Sequence, residues 1–503
     1  MHPILESIRA RRVLYNTESA DINNLPGFTD VVTTICSLIQ SKHDKIVIYS
    51  DGDVDGLTSN AQLTLMFRAH GVEPRLRINR RDSGWGYVFD PADAGHVIFL
   101  LDLGTNDKKE VVRAKKADCT VICIDHHLNY GNFAGDLLLN PGGQGPFKNY
   151  CTSLLMRDIC YHVRLALHTL GDDHGNWLPI LGGLADQCDL SDASVRDIIG
   201  EGLARIRQNN APEYVTEFLD KIQVAQDNLS CQDLSWSVVP MLNAPGRLGD
   251  PQPTLDLLLG DTSSVRKLQD LNNLRKQLVA QAIPAAMEQV DINDNVVIAR
   301  IDCPPGVTGL VAGRLKESLG VPVLVCCQVS PTLLKGSVRL PDHLNFDDVA
   351  GSGRSHCLRM GGHRSAGGFS LLPEQWPMFK IAVIQAAKNL PLAKDINHEL
   401  TADADVTIID LNESFVNQMH HELGPFGRGY PVPTFRIKNA SVVSRYQFGS
   451  ERQHTSYSLT DATHTVVRAV HFNSSPSTKD RLDIYGQVKL YDGSVNVTIA
   501  GIR

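Results

Sequence analysis

The sequence predicts an α/β protein with four parts: a parallel-sheet domain, a long connecting helix, a smaller α/β domain and a C-terminal β-barrel. Three observations predict it. Short β-branched runs at Lys45–Tyr49, His96–Leu101 and Thr120–Ile124 read as buried parallel strands, each leading into an acid. Leu268, Leu271, Leu274 and Leu278 recur at spacings of three and four within a charged stretch from Ser263 to about Val290, one apolar face of a long helix. From Phe435 onward, runs of alternating apolar residues separated by turns take over.

The 503 residues suggest two to four domains, placed at 1–260, 261–291, 292–395 and 396–503. A hydrophobic content of 42% and a mean hydropathy of -0.13 fit a soluble globular protein. No run reaches membrane-span length. Met1–Glu6 shows no signal-peptide core, so a cytoplasmic location is expected. The 11 scattered cysteines suit a reducing compartment. Cys119 and Cys123 lie in or beside a strand and read as core, not as zinc ligands. A net charge of -8 argues against a uniformly basic, nucleic-acid-coating surface. It leaves room for a local basic channel beside a carboxylate cluster.

Residues 1 to about 43 read as helical, broken at Asn23–Gly27. The most informative stretch follows. Asp51, Asp53 and Asp55 alternate directly after the first strand, and Leu57–Ala69 reads as a helix. Taken alone, the acids equally describe a solvated turn. Three further runs also end in acids: one in Asp102, one in Asp125-His126-His127, and Leu178–Ala185, read as a fourth strand, in Asp186. Neighbouring parallel strands would bring all of these to one sheet edge, where open α/β sheets bind ligands. Carboxylates so crowded hold protons unless a positive charge sits among them, and a hard divalent cation is the natural occupant.

Asp-x-Asp-x-Asp-Gly, Leu-Asp-Leu-Gly, Asp-His-His and Gly-Gly-Leu-Ala-Asp, in this order, resemble the DHH phosphoesterase superfamily. Leu242–Asp250 holds Asn243-Ala-Pro-Gly-Arg247, similar to a string of the RecJ-type single-strand exonucleases; by itself it is a Gly/Pro turn with a solvated arginine. Lys335–Arg339 and Met360–Gly368 resemble the DHHA1 domain that follows the catalytic one. There, glycines let backbone amides approach phosphate oxygens. Gly351–Ser355 matches the family's Gly-Ser-Gly-Arg-Ser string literally, but spacing to 344–348 puts the equivalent at 336–339. Pro425–Tyr430 resembles the lead-in to a terminal OB-fold. Five strands with a hairpin signal at Asp492-Gly493 agree with such a barrel. Arg445, Tyr446, Arg452 and Tyr457 are candidates for a single-strand groove; the lesser alternative is a barrel that stabilises the second lobe. Trp85 stands where the family usually has tyrosine, Ser50 and Val338 where it has glycine. The further C-terminal domain of some relatives is not seen.

The resemblance implies a two-metal phosphodiesterase acting 5′-to-3′ on single-stranded DNA and releasing mononucleotides, in DNA repair or recombination. It implies Asp51, Asp53, Asp55, Asp102, His126 and Asp186 as ligands of two divalent ions, with Asp102 bridging. Mn²⁺ is favoured over Mg²⁺ by the mixed donors. Asp125 would orient His126, and His127 would contact the scissile phosphate. Arg80, Asn243, Arg247, Ser337, Arg339, Gly361, Gly362 and His363 would bind substrate. A monomer is expected, with single-stranded DNA and possible recruitment by a single-strand-binding protein. The alternatives are an oligoribonuclease or cyclic-dinucleotide phosphodiesterase, a pyrophosphatase, and an inactive DNA-binding scaffold.

Overall fold

The computed structural model describes residues 2–503 except 13, 16–19, 81–85, 130, 170–176, 228, 292–294, 363, 389, 391–399, 450–451, 463 and 492. Trp85, His363 and Asp492, singled out above, lie outside the described residues.

Helices α1 (Pro3–Arg11) and α2 (Phe28–Gln40) precede the first sheet. Its strands are β1 (Ile46–Ser50), β2 (Arg75–Ile78), β3 (Val97–Leu101), β4 (Thr120–Ile124) and β5 (Leu137–Leu139). They pair in parallel in the order β2-β1-β3-β4-β5. Every residue of β1 is buried, because both faces of the sheet are covered. Ile46, Ile48, Phe99 and Ile124 face the core shared with α2, α3 (Val54–Ala69) and α5 (Thr152–Ala166). Val47, Ile98, Leu100 and Val121 face the opposite layer, with Val111 and Ala114 of α4 (Lys108–Lys116).

The fourth acid-terminated run is not a strand. Leu178–Ala185 forms helix α6, packed on α3 and α5, and α7 (Ala193–Arg207) follows. A helix buried on all sides is as uniformly apolar as a buried strand, so the pattern could not separate them. Pro179 at its first turn and the Gly182-Gly183 pair were the available signals. A Cβ on Gly182 would stand 2.3 Å from the Ser153 Cβ, so this glycine is what lets α6 approach α5.

The helix Val265–Met287 joins two cores. Val265 and Leu268 belong to the first, Val279, Ala282 and Ala286 to the second. The expected leucine stripe is corrected: Leu274 is 43% exposed, and the buried face carries Asn272 and Arg275 instead. With a different partner at each end, no single stripe stays buried. Arg275 donates from Nε and Nη2 to Asn272 Oδ1 at 3.1 and 2.9 Å.

The second sheet runs in the order β6 (Val297–Arg300), β7 (Val323–Ser330), β8 (Leu333–Arg339), β10 (Ala366–Leu371), β9 (Arg359–Gly362). Helices Pro305–Leu319 and Trp376–Ala387 cover its two faces. The third sheet is a closed barrel of β12 (Phe435–Phe448), β13 (His454–Thr460), β14 (Val466–His471), β16 (Ser494–Ile502) and β15 (Arg481–Tyr491). β12 pairs β15 to close it, and β11 (Ala404–Val406) adds in parallel to β12. One groove candidate is corrected. Tyr457 is fully buried, its hydroxyl accepting from the Ser477 N–H at 2.8 Å. Arg445 is held by the Ser477 carbonyl and Asp480.

Candidate active site

The strand ladder continues one residue beyond each strand and so fixes the acids. Asp51 N–H donates to the Leu101 carbonyl, Asp102 N–H to Ile124, and Asp125 N–H to Leu139, at 3.1, 3.0 and 3.0 Å. Asp51, Asp102 and Asp125 therefore stand side by side on one sheet edge. Asp102 is conformationally strained there: its φ of 62° is left-handed, uncommon for a residue with a side chain.

Asp53 caps α3, accepting from the N–H groups of Asp55 and Gly56. Asp55, 3% exposed, accepts from Thr152 and Ser153 N–H at 3.0 and 2.9 Å. It is thus tied to the start of α5. Thr152 Oγ1 donates to Asp102 Oδ1 at 3.2 Å, and Asn79 Nδ2 to Asp51 Oδ1 at 3.3 Å. These supporting residues were missed in the sequence. Only the Thr152-Ser153 helix start offered a signal.

Ligand-type atoms of Asp51, Asp53 and Asp102 lie within 4.8 Å of one another, and so do those of Asp102, His126 and His127. Asp102 is common to both groups. His126 Nε2 stands 3.3 Å from Asp102 and 3.9 Å from Asp55, while its Nδ1 is 3.8 Å from Asp186. The expected Asp125–His126 side-chain pair is corrected. Asp125 Oδ1 meets His127 Nδ1 at 2.8 Å and gives His126 only a backbone contact. The second carboxylate oxygen of Asp125 accepts from Thr105 N–H. The two rings lie 4.7 Å apart and tilted by 47°, and only the second meets the Asp125 carboxylate.

Burial pushes the Asp102 carboxyl well above the usual range, and Asp53 adds repulsion. Burial raises Asp55 likewise, with Asp102 next. Desolvation works against the charge on both Asp125 and His127, yet their hydrogen bond and opposite charges hold Asp125 low and His127 high. A carboxylate cluster that can shed its protons only against burial and repulsion is one that a divalent cation stabilises, and carboxylate with imidazole suits Mn²⁺ or Mg²⁺. The residues therefore fit such ions.

The other sequence-derived positions divide into three places. Asn243 Oδ1 accepts from Val54 N–H at 3.2 Å, and a Cβ on Gly246 would stand 2.3 Å from the Gly52 carbonyl oxygen. The Asn243–Arg247 segment thus packs directly on the Asp51–Asp53 loop. Arg247 donates to the Gly306 carbonyl at the start of helix Pro305–Leu319. Ser337 Oγ is 2.9 Å from Thr308 Oγ1 in that first turn, and a Cβ on Gly309 would meet Arg339 Nη2 at 3.0 Å. Gly361 and Ser337 share one cross-strand row through Gly368, with Gly362 in the next row. Arg80 follows Asn79, whose side chain bonds Asp51, and stands 3.4 Å from Asp250.

Two family models match: the DHH family N-terminal domain over residues 45–166 and the RecJ OB domain over 402–499. The single-stranded-DNA-specific exonuclease RecJ of Haemophilus influenzae is 26% identical over 484 residues, 86% of this chain and 83% of that protein. The Escherichia coli protein of the same name is 27% identical, over 78% of this chain and 74% of its own length. The crystal structure of RecJ in complex with Mn²⁺ from Thermus thermophilus superposes with a TM-score of 0.83 at 21% identity, covering 100% of this chain and 76% of that one. With a DHH-family domain on the parallel sheet and a RecJ OB domain at its far end, the chain is similar to RecJ over most of its length.

Proposed function

We propose that this chain is a metal-dependent exonuclease that degrades single-stranded DNA 5′-to-3′ to mononucleotides, in DNA repair or recombination. The observation that carries the reading is Asp102, shared by two groups of candidate ligands, in a chain that also carries a closed five-stranded barrel. The named activity of the relatives supports it.

Asp51, Asp53 and Asp102 would hold one ion. Asp102 and His126, flanked by Asp55 and Asp186, would hold the other. Two such ions, Mn²⁺ or Mg²⁺ as in solved RecJ structures, would supply Lewis-acid neutralisation of phosphoryl charge and lower the pKa of a water so that hydroxide is available as the nucleophile. His127 has its Nδ1 on Asp125, and in the protonated ring Nε2 would donate to the scissile phosphate. Arg247 beside the start of helix Pro305–Leu319 places a cation and a positive helix end next to the Asp51–Asp53 loop, suited to phosphate. Ser337, Arg339, Gly361 and Gly362 extend that surface, with Arg80, Asn243 and His363 assigned to the same substrate. A monomer, a cytoplasmic location and recruitment by a single-strand-binding protein belong to this reading.

The test is a 3′-labelled single-stranded oligomer incubated with Mn²⁺ and the full chain, beside an Asp102→Asn control. The expected result is a ladder that shortens from the 5′ end and keeps its label, absent in the control. Intact DNA with hydrolysed dinucleotides would instead favour the short-substrate phosphodiesterase.

A further inference from the structure

Asp186 comes to the site from a helix end, not from the sheet edge. It caps the C-terminus of α6 and is followed by Gln187 at a left-handed φ of 56°. Cys188 N–H donates to the Gly183 carbonyl at 2.8 Å and Gln187 N–H to Leu184 at 3.3 Å, the paired bonds of a Schellman ending. Such endings favour glycine at the left-handed position, and here a glutamine is held in it against steric resistance. An outside contact compensates. Arg428 donates from Nη1 to the Gln187 carbonyl at 3.1 Å. A guanidinium is also the favourable charge at a helix C-terminus.

Arg428 is itself fixed by the two domains it lies between. Leu190 N–H donates to the Arg428 carbonyl at 2.8 Å. A Cβ on Gly427 would meet Leu190 Cδ1 at 2.7 Å, and one on Gly429 (φ 74°) would overlap Asp189 Oδ1 at 1.7 Å. Arg196 of α7 donates to the carbonyls of Leu423, Gly424 and Pro425 and stacks on Tyr430, 4.0 Å from the ring centroid. The 424–430 loop leading into the barrel is thus a rigid brace against the segment that follows Asp186.

We propose that Arg428 is a positioning residue for Asp186: it holds Gln187 in the left-handed conformation and so sets the carboxylate 3.8 Å from His126 Nδ1. The inference rests on the reading of Asp186 as a metal ligand. It gives the Pro425–Tyr430 motif a role beyond connecting domains, since the barrel's lead-in completes the metal site.

The experiment measures Mn²⁺ affinity by calorimetric titration of the full chain, together with kcat and KM on single-stranded DNA and thermal unfolding. The proteins are wild type, Arg428→Ala, the double variant Arg428→Ala/Gln187→Gly, and Asp186→Ala. Arg428→Ala is expected to weaken Mn²⁺ binding about tenfold, the scale of losing a group that orients a ligand, with KM for DNA little changed. Glycine at 187 reaches the left-handed conformation unaided, so the double variant is expected to recover most of the affinity. Failure of that rescue overturns the proposal. So does an Arg428→Ala protein with normal Mn²⁺ affinity and a raised KM, which would make Arg428 a DNA contact. If Asp186→Ala itself binds Mn²⁺ normally, the ligand reading falls and takes the proposal with it. If Asp186→Ala loses affinity while Arg428→Ala does not, only the proposal falls.

Discussion

Asp125 Oδ1 stands 2.8 Å from His127 Nδ1, and the same oxygen accepts the N–H groups of His126 and His127. One buried carboxylate therefore fixes both the backbone of the His-His pair and the Nδ1–H of its second ring. Asp125→Asn keeps the shape and removes the charge. Its amide cannot match all these donors, and His127 loses the partner that holds its proton on Nδ1. We expect kcat to fall roughly 100-fold, with KM for single-stranded DNA within a few-fold of wild type. Steady-state kinetics at saturating Mn²⁺ check this, and an unchanged kcat would remove His127 from the chemistry.

Asp102→Asn separates stability from activity. Asp102 is buried, repelled by Asp53 and left-handed, a conformation that asparagine accepts as readily as aspartate. Asparagine is neutral without having to bind a proton, so the metal-free protein no longer bears the cost of burying this carboxyl among like charges, and its unfolding temperature should rise. The same change replaces one carboxylate oxygen with an NH2 group and removes the negative charge shared by both ligand groups, so stabilisation by Mn²⁺ should shrink and activity should fall about 10²–10³-fold. Thermal unfolding with and without Mn²⁺ gives both signs in one experiment. A metal-free variant less stable than wild type would contradict the account.

The sequence carried the parallel strands, because residues buried on both faces leave uninterrupted β-branched runs, and Lys45–Tyr49 is such a run. It carried the acids at Asp51, Asp102 and Asp125 for the same reason. It could not tell Leu178–Ala185 from a strand, since a fully buried helix shows no amphipathic period. Nor could it assign Asp125 to one histidine, because ring direction depends on backbone geometry that local spacing does not encode. Tyr457 illustrates a third limit. In a barrel strand, period 2 tells which residues share a face, while which face turns inward is set by closure between β12 and β15, distant in sequence.

Tyr214 supplies a pH dependence outside the active site. Burial pushes its hydroxyl up to about 12, against a hydrogen bond from Trp177 Nε1 at 3.0 Å. Between the unfolded value near 10 and the folded one, the folded chain keeps a proton that the unfolded chain releases. Stability therefore falls as pH rises through this window, by about 2 kcal/mol at its upper end. Tyr214→Phe should unfold less steeply with pH from 10 to 12, with a lower stability at pH 7 from the lost hydrogen bond. Chemical denaturation at intervals across that range checks it, and parallel curves for the two proteins would refute it.

The barrel gives the prediction most tied to substrate length. Tyr446 and Phe472 are 54% and 48% exposed, and Phe448 and His454 link them into one aromatic cluster. Arg468 donates to the Tyr446 hydroxyl and brings a cation to the same surface. Exposed rings beside a guanidinium are a stacking platform for bases, worth about 1–3 kcal/mol per stacked base. Tyr446→Ala and Phe472→Ala should each weaken binding of a long single-stranded oligomer about tenfold and raise its KM. Hydrolysis of a dinucleotide, which offers few bases for such a platform, should stay at the wild-type rate. Fluorescence anisotropy with a labelled oligomer, paired with a dinucleotide assay, reads the two separately. Equal loss on both substrates would mean that the barrel acts on the catalytic site itself and not on DNA. Loss on neither would leave the aromatic cluster without a part in substrate binding.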